Sequence, residues 1–319
     1  MRPPGETTLV VDQHTSTWEF GDFPYGLEPL TMPPVGHATA SFSELPHPVP
    51  DCDLDVVRFQ LSALADSALA GAPEGDEPSK EQLFWFRWIT GHQITFLIWH
   101  LTGRLLAKAT GRELPDEHDL TRLERYTYGY CAMLLYTGSC PRDLYHSLIR
   151  PRMYLQHRGF SGTWAPDFVP VRGLFRGRGP AGSSLPEAAG LARAVELNKT
   201  IHDGIAARLV PEGRSLLQQA MGATTVRVSQ RTALLYDNFF MTLRAEVSEE
   251  DILAQLFHRL RAVALDVSRH GLYPLGHEGD DRPEELRSPE VADCEAMFSH
   301  VLRGVADAAI GETKPHAHL

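Results

Sequence analysis

The chain has 319 residues, which suits one large domain or a main domain carrying an arm. It is 43% hydrophobic and 22% charged, with a formal net charge of −11. A chain this acidic, lacking a long basic run, is unsuited to phosphate-dominated nucleic-acid binding. Cys52, Cys131, Cys140 and Cys294 show neither CxxC nor CxxCH spacing, which speaks against a disulfide framework, a zinc ribbon and a c-type haem attachment site. The opening MRPPGETT lacks the basic-then-apolar layout of a signal peptide, so the cytoplasm is the expected compartment.

Residues 1–52 are rich in Pro, Thr and Gly and show no helical period. Trp18, Phe20, Phe23 and Tyr25 make this arm too aromatic for a plain tail, so it is expected to pack on the body or on a second subunit, as in a homodimer. A helical body is expected over 53–311 and a frayed tail over 312–319. Asp53-Leu54-Asp55 opens a helix in which Val56, Phe59, Ala63 and Leu64 recur at helical spacing. After a surface loop at 70–80, LFWFRWITGHQITFLIWHLTGRLLAKAT (83–110) reads as a long helix. Arg87, His92, Gln93 and His100 make it costly in lipid, so it is a core helix and no membrane partner is expected.

Residues 116–138 form another helix, from an acidic cap to Gly138, and 143–154 a short one. The stretch 157–190 is crowded with Gly, Pro and Arg and has the length of a lid or binding loop. Helices are then predicted over 186–210, over 213–246, and from the Ser248-Glu249-Glu250-Asp251 cap signal to Gly271. RSPEVADCEAMFSHVLRGVADAAIG closes the fold. Strand signals are sparse, and the fold class is mostly α.

Two histidines stand out. His92 shares a helix face with Trp85, Trp88, Phe96 and Trp99. Its ordinary reading is a core histidine bonded to a backbone carbonyl. His100 is turned roughly 80° away on the helix and is no metal partner. His202 falls in the stripe Leu191, Val195, Asn198, His202, Ile205, Leu209, which predicts an inward-facing ring. Such an imidazole is either a satisfied core histidine or the proximal ligand of a haem iron; composition does not choose between them.

Arg150, Arg152, Arg158, Arg172, Arg176 and Arg178 cluster in an otherwise acidic chain. They form either a solvated patch or a set of guanidinium clamps for carboxylates, from an amino acid or from haem propionates. Phe160, Trp164 and Phe168 beside them favour a ligand. GRGPAGSS lacks the GK[ST] ending of a phosphate loop. His316 and His318 lie in the tail, DEHD (116–119) reads as a cap, and Tyr126, Tyr128, Tyr130 and Tyr136 as packing or pocket wall. No Gly-x-Ser-x-Gly elbow or evident nucleophilic Cys is present.

WITGHQITFLIWH resembles the distal-histidine helix of tryptophan 2,3-dioxygenase, with His92, Gln93 and Leu97 matching and Trp99 close by. RPRMYLQHRGFSGTW (150–164) is similar to that family's aromatic-rich segment beside the substrate. Over about residues 15–310 the chain looks closer to a sister group, the histidine-ligated haem-dependent L-tyrosine hydroxylases of antibiotic biosynthesis. The resemblance implies a helical haem-binding domain similar to tryptophan 2,3-dioxygenase, with an irregular N-terminal arm. It implies hydroxylation of L-tyrosine ortho to the phenol, giving 3,4-dihydroxyphenylalanine, with non-covalent haem b as cofactor and hydrogen peroxide as co-substrate.

Carried over by residue, His92 is the distal proton-moving group and His202 the axial iron ligand, with His157 as the fallback. Arg172, Arg176 and Trp88 are assigned to the haem, and Trp99, Arg152, Arg158, Phe160 and Ser161 to the substrate. The dioxygenase's carboxylate-binding Arg has no counterpart, since Ala165-Pro166-Asp167 stands there; Arg152 or Arg158 substitutes. No His has Cys four positions on, so covalent haem attachment is not expected. The competing readings are an indole-opening dioxygenase, a haem sensor without turnover, and a helical scaffold without cofactor.

Overall fold

In a computed structural model the protein is described over residues 20–21, 23–40, 49–66, 77–111, 115–177, 188–210, 215–220, 228–276 and 282–311. Trp18, Arg178, most of GRGPAGSS, His316 and His318 lie outside the described residues. The order is β1 (Leu30–Met32), α1 (Leu54–Ala65), α2 (Lys80–Gly111), α3 (Glu117–Gly138), α4 (Arg142–Leu144), α5 (Arg150–Gln156), α6 (Ala189–Leu209), α7 (Leu216–Ala220), α8 (Gln230–Phe239), β2 (Thr242–Arg244), α9 (Glu249–His270), α10 (Pro289–Ala296) and α11 (Phe298–Ile310). The fold is mostly α. Among the described residues no helix is long and apolar enough to cross a membrane.

Helix starts follow their caps. Asp53 accepts from the amides of Asp55 and Val56, Asp116 from Asp119, and Ser248 forms a reciprocal capping box with Asp251. The predicted inner face of α1 is rotated by one position. Val57, Gln60, Leu61 and Leu64 are buried, whereas Val56 and Phe59 are exposed, because α1 packs against both α9 and α11.

Helices α2, α3 and α6 form the central layer, and α11 packs on α3. Glycines set these crossings. A Cβ at Gly91 of α2 would lie 2.5 Å from Thr137 Cγ2 of α3, and one at Gly138 would lie 2.6 Å from Ile205 Cδ1 of α6. Arg87 and Gln93 of α2 find partners inside the bundle, which lets the helix stay in the core. Fully buried Arg87 pairs with Asp266 at 2.8 Å and donates to the carbonyls of Gly271 and Leu272. Tyr136 donates to the same Asp266 at 2.7 Å.

Two predicted elements differ from what forms. Where a helix is expected over 213–246, the described residues form α7, α8 and strand β2. Ser229 caps α8 afresh, and Met241, at φ 52, turns the chain into β2, where Leu30 pairs in parallel with Thr242 and Met32 with Arg244. The described part of the N-terminal segment thus packs on the body of its own chain, with Phe20 and Tyr25 buried against Phe86. The second difference lies between α4 and α5. There the chain widens into a π-turn, Tyr145–Ile149, in which Arg150 N–H bonds Tyr145 O. Pro151 explains it, because its ring would clash with the carbonyl four residues back in an α-helix.

Candidate functional site

The central layer, α8 and the loop after α5 enclose a cavity of two adjoining lobes. One, about 270 Å³, is walled by Trp88, His92, Tyr145, Arg150, Phe160 and Phe240; the other, about 380 Å³, by Thr95, Trp99, Tyr130, Met133, Thr163 and Phe168. His92, Leu134, Thr137, Ser161, His202 and Tyr236 line both. The site therefore gathers α2, α3, α6, α8 and the 157–177 loop. It is mostly apolar, of ligand-pocket size, with few polar groups converging on it.

His92 sits mid-way along α2 with its Nδ1 2.6 Å from the Trp88 carbonyl. A carbonyl only accepts, so the proton is on Nδ1 and Nε2 keeps its lone pair. Phe240 stacks on the ring at 4.6 Å and 22°, and Trp88 lies 4.5 Å away. Burial pulls the imidazole down to about 4, against a small opposing effect of the Trp88 carbonyl bond. His92 is thus a neutral acceptor at ordinary pH.

His202 differs from its predicted setting. Its side chain is 62% exposed rather than enclosed by aliphatic neighbours, because its position on α6 opens onto the cavity while Asn198 and Leu209 turn into the core. Its Nδ1 lies 3.2 Å from Asp203 Oδ1, an arrangement that puts the proton on Nδ1 and leaves Nε2 free. His157 lines neither lobe; its Nδ1 accepts from Gly159 N–H at 3.0 Å, which places its own proton on Nε2.

The arginines separate. Arg152 is exposed and stacks over Trp85 at 4.4 Å, and Arg158 is exposed; neither lines a lobe. Arg172 reaches the Thr163 carbonyl and the Phe168 ring behind the wall, and Arg176 is exposed outside it. The arginine that does line the cavity is Arg150, half-buried and hydrogen-bonded with Tyr145. The signal was Pro151, since the π-turn it forces brings residues 145 and 150 to one face. Among the residues expected at the ligand, Trp88, Trp99, Phe160 and Ser161 all line the cavity. Phe160 stacks on Tyr236 at 5.5 Å, and Ser161 Oγ accepts from Thr163 N–H at 3.2 Å.

Sequence reading missed Arg244. It is 2% exposed and bonds both oxygens of Asp167 and both of Asp237 at 2.7–3.0 Å. Those aspartates precede Phe168 and follow Tyr236, so one guanidinium fixes two walls of the cavity.

Residues 55–192 match the family model of SfmD 3-methyl-L-tyrosine peroxygenase. The match spans less than half of the chain. It includes α2 with His92, the π-turn and the 157–177 loop, and ends before His202. No curated protein matches the chain. Over the matched span the chain is similar to a peroxygenase family, which supports an enzyme that uses peroxide.

The cavity also suits a haem. Imidazole Nε2 of His202 is open, with a carboxylate behind it as is usual for metal-bound histidine. The walls are apolar and aromatic, and the indole N–H groups of Trp88 and Trp99 are buried without a hydrogen-bond partner where they line it. An occupant with acceptor atoms would answer those donors.

Proposed function

We propose that the protein hydroxylates L-tyrosine ortho to its phenol, giving 3,4-dihydroxyphenylalanine, with hydrogen peroxide as oxidant and non-covalent haem b as cofactor. The observation carrying this reading is the meeting of His92 and His202, from separate helices, in one largely apolar cavity. The partial match to a 3-methyl-L-tyrosine peroxygenase family adds the substrate class.

In this reading His202 Nε2 would hold the haem iron, with Asp203 setting the tautomer of the ring. When bound, the haem supplies the two-electron chemistry by which peroxide oxidises an aromatic ring. The overall balance is tyrosine plus hydrogen peroxide to the catechol plus water. His92 Nε2 takes a proton from one peroxide oxygen and delivers it to the oxygen that leaves as water, while the Trp88 carbonyl holds the ring by Nδ1. A neutral imidazole suits the first half of that cycle. Phe160, Tyr236 and Trp99 provide the aromatic bed for the phenol, and Arg150, oriented by Tyr145, takes the amino-acid carboxylate. Arg150 replaces Arg152 and Arg158 in this role.

The test is an absorption spectrum of the haem-supplemented protein, before and after L-tyrosine and then peroxide. The expected result is a Soret band that shifts with tyrosine, followed by a catechol product. A colourless protein, or N-formylkynurenine from tryptophan instead of a catechol from tyrosine, would refute it.

A further inference from the structure

Gln93 follows His92 in sequence but turns away from the cavity into the core, where it is fully buried. Its Nε2 donates to the Glu28 carbonyl and to the Phe240 carbonyl, each at 3.0 Å. Its Oε1 accepts from Arg259 Nε at 2.9 Å. Arg259, also fully buried, donates three further N–H groups to the carbonyls of Gln255, Glu28 and Pro29. Four segments therefore converge on one amide: α2 at its middle, the segment entering β1, the corner between α8 and β2, and α9 through Arg259.

That corner carries Phe240, the ring stacked on His92. The next residue, Met241, holds a positive φ that few L-residues adopt, and its carbonyl accepts from Leu30 N–H at 2.9 Å. Such a corner needs outside support, and the Gln93 amide bonds it one residue before the strained position.

We propose that the Gln93–Arg259 pair is a positioning device for His92: by tying the Phe240 carbonyl to α2 it holds the Phe240 ring flat against the imidazole. Besides this stack, the His92 ring has one hydrogen bond, Nδ1 to the Trp88 carbonyl, and the tilted Trp88 ring at 4.5 Å, a setting that leaves rotation about the Nδ1 bond to be limited by the flat Phe240 face. The stacked phenyl removes that freedom and keeps water from one face. Nε2 then stays aimed into the cavity as an acceptor. The proposal rests on His92 being the proton-moving group, and Gln93 touches neither substrate nor cofactor.

The test is a double-mutant cycle of Gln93→Met and Phe240→Leu, read first in the haem-free protein by NMR titration of the His92 ring. The other titratable groups around this cavity are Tyr145 and Arg150 from the π-turn segment, Tyr130 from α3, His202 from α6 and Tyr236 from α8. Gln93→Met contacts none of these side chains; Phe240→Leu also meets the Tyr236 ring, 4.8 Å from Phe240, so the tyrosine is followed in the same titration. Each single variant is expected to raise the His92 titration by about one unit toward its ordinary value as the ring face becomes wet. The double variant is expected to show no further rise, since both act through one contact. In the loaded enzyme, kcat is expected to fall about tenfold in each single variant, with KM within about twofold.

A Gln93→Met variant that is merely less stable, with the His92 titration unmoved, would overturn the proposal; so would additive shifts in the double variant. Should Gln93→Met fail to fold, Gln93→Glu takes its place, since it keeps the acceptor for Arg259 but loses the donor to the Phe240 carbonyl, and an unmoved His92 titration in it overturns the proposal equally. The functional reading fails separately, through full turnover in His92→Ala, and the titration is measured without haem or turnover.

Discussion

Replacing Arg244 by Met removes the cation that bridges two buried carboxylates. Asp167 and Asp237 are 3% and 4% exposed, and Arg244 bonds every carboxylate oxygen of the two, plus the Pro33 carbonyl. Methionine fills much of the volume but pairs with none of them. Breaking a buried ion pair by removing one partner costs about 3–5 kcal/mol. With a urea slope of about 3 kcal/mol per molar, the midpoint should fall by about 1–2 M. The pH dependence identifies the cause. Burial already raises the Asp237 carboxyl above its ordinary value, with Arg244 opposing it. A raised carboxyl binds more protons folded than unfolded, so its contribution to stability declines as pH rises from the unfolded value through the folded one. Without Arg244 that window reaches higher pH. The deficit against wild type should therefore be larger at pH 7 than at pH 5 in urea unfolding followed by circular dichroism. A deficit below about 1 kcal/mol, or one equal at both pH values, would refute the argument that uncompensated charge is the cost.

Four other outcomes are expected. His202→Ala should lose the Soret band while keeping its helical circular dichroism, as the ring is exposed and supports little packing. His92→Ala should retain haem but lose about 10²–10⁴-fold in turnover, measured as catechol formed. Since the neutral imidazole is the working form and burial sets its titration at about 4, the His92 ring of the haem-free protein should stay neutral down to that region. A midpoint at the ordinary histidine value would contradict its dry setting. Arg150→Ala should raise KM for tyrosine more than it lowers kcat, whereas Arg152→Ala, remote from the cavity wall, should change neither beyond about twofold.

The helical class, the long α2 and the capped starts of α1, α3 and α9 were legible because each is written locally, as a side-chain oxygen before an apolar period. The surroundings of His92 were legible in part for the same reason, since Trp88 and Phe96, at helical spacing, lie against its ring. What failed is non-local. The short β1–β2 pair joins residues more than two hundred apart, so no window of sequence carries it. His202 lies on an apolar stripe in projection, yet its neighbours across space leave it facing the void. The arginine cluster was visible as composition, but only the π-turn at Pro151 determines that Arg150 faces inward and Arg152 outward. Arg244 gave no sign at all, because both of its carboxylates come from other elements.

The two histidines are placed in opposite environments, and the proposed chemistry needs that difference. A proton-moving imidazole works when it is neutral, held by one nitrogen and dry, and His92 has the carbonyl, the stacked Phe240 and the depressed titration. An iron ligand needs an unprotonated nitrogen facing open space, with a partner on the other nitrogen to set the tautomer; His202 has Asp203 and the cavity. Exchanging the settings would disable both, since a solvated distal ring would protonate near neutrality and a walled-in proximal one could not reach a metal. The exposure of His202, which departs from its helical stripe, is thus the feature that makes a ligand role workable. The polar ladder of Gln93, Gln255 and Arg259 lies on the far side of α2 and supports the dry half of the pair. The difference between the two rings therefore originates in the core packing behind them as much as in the cavity they share.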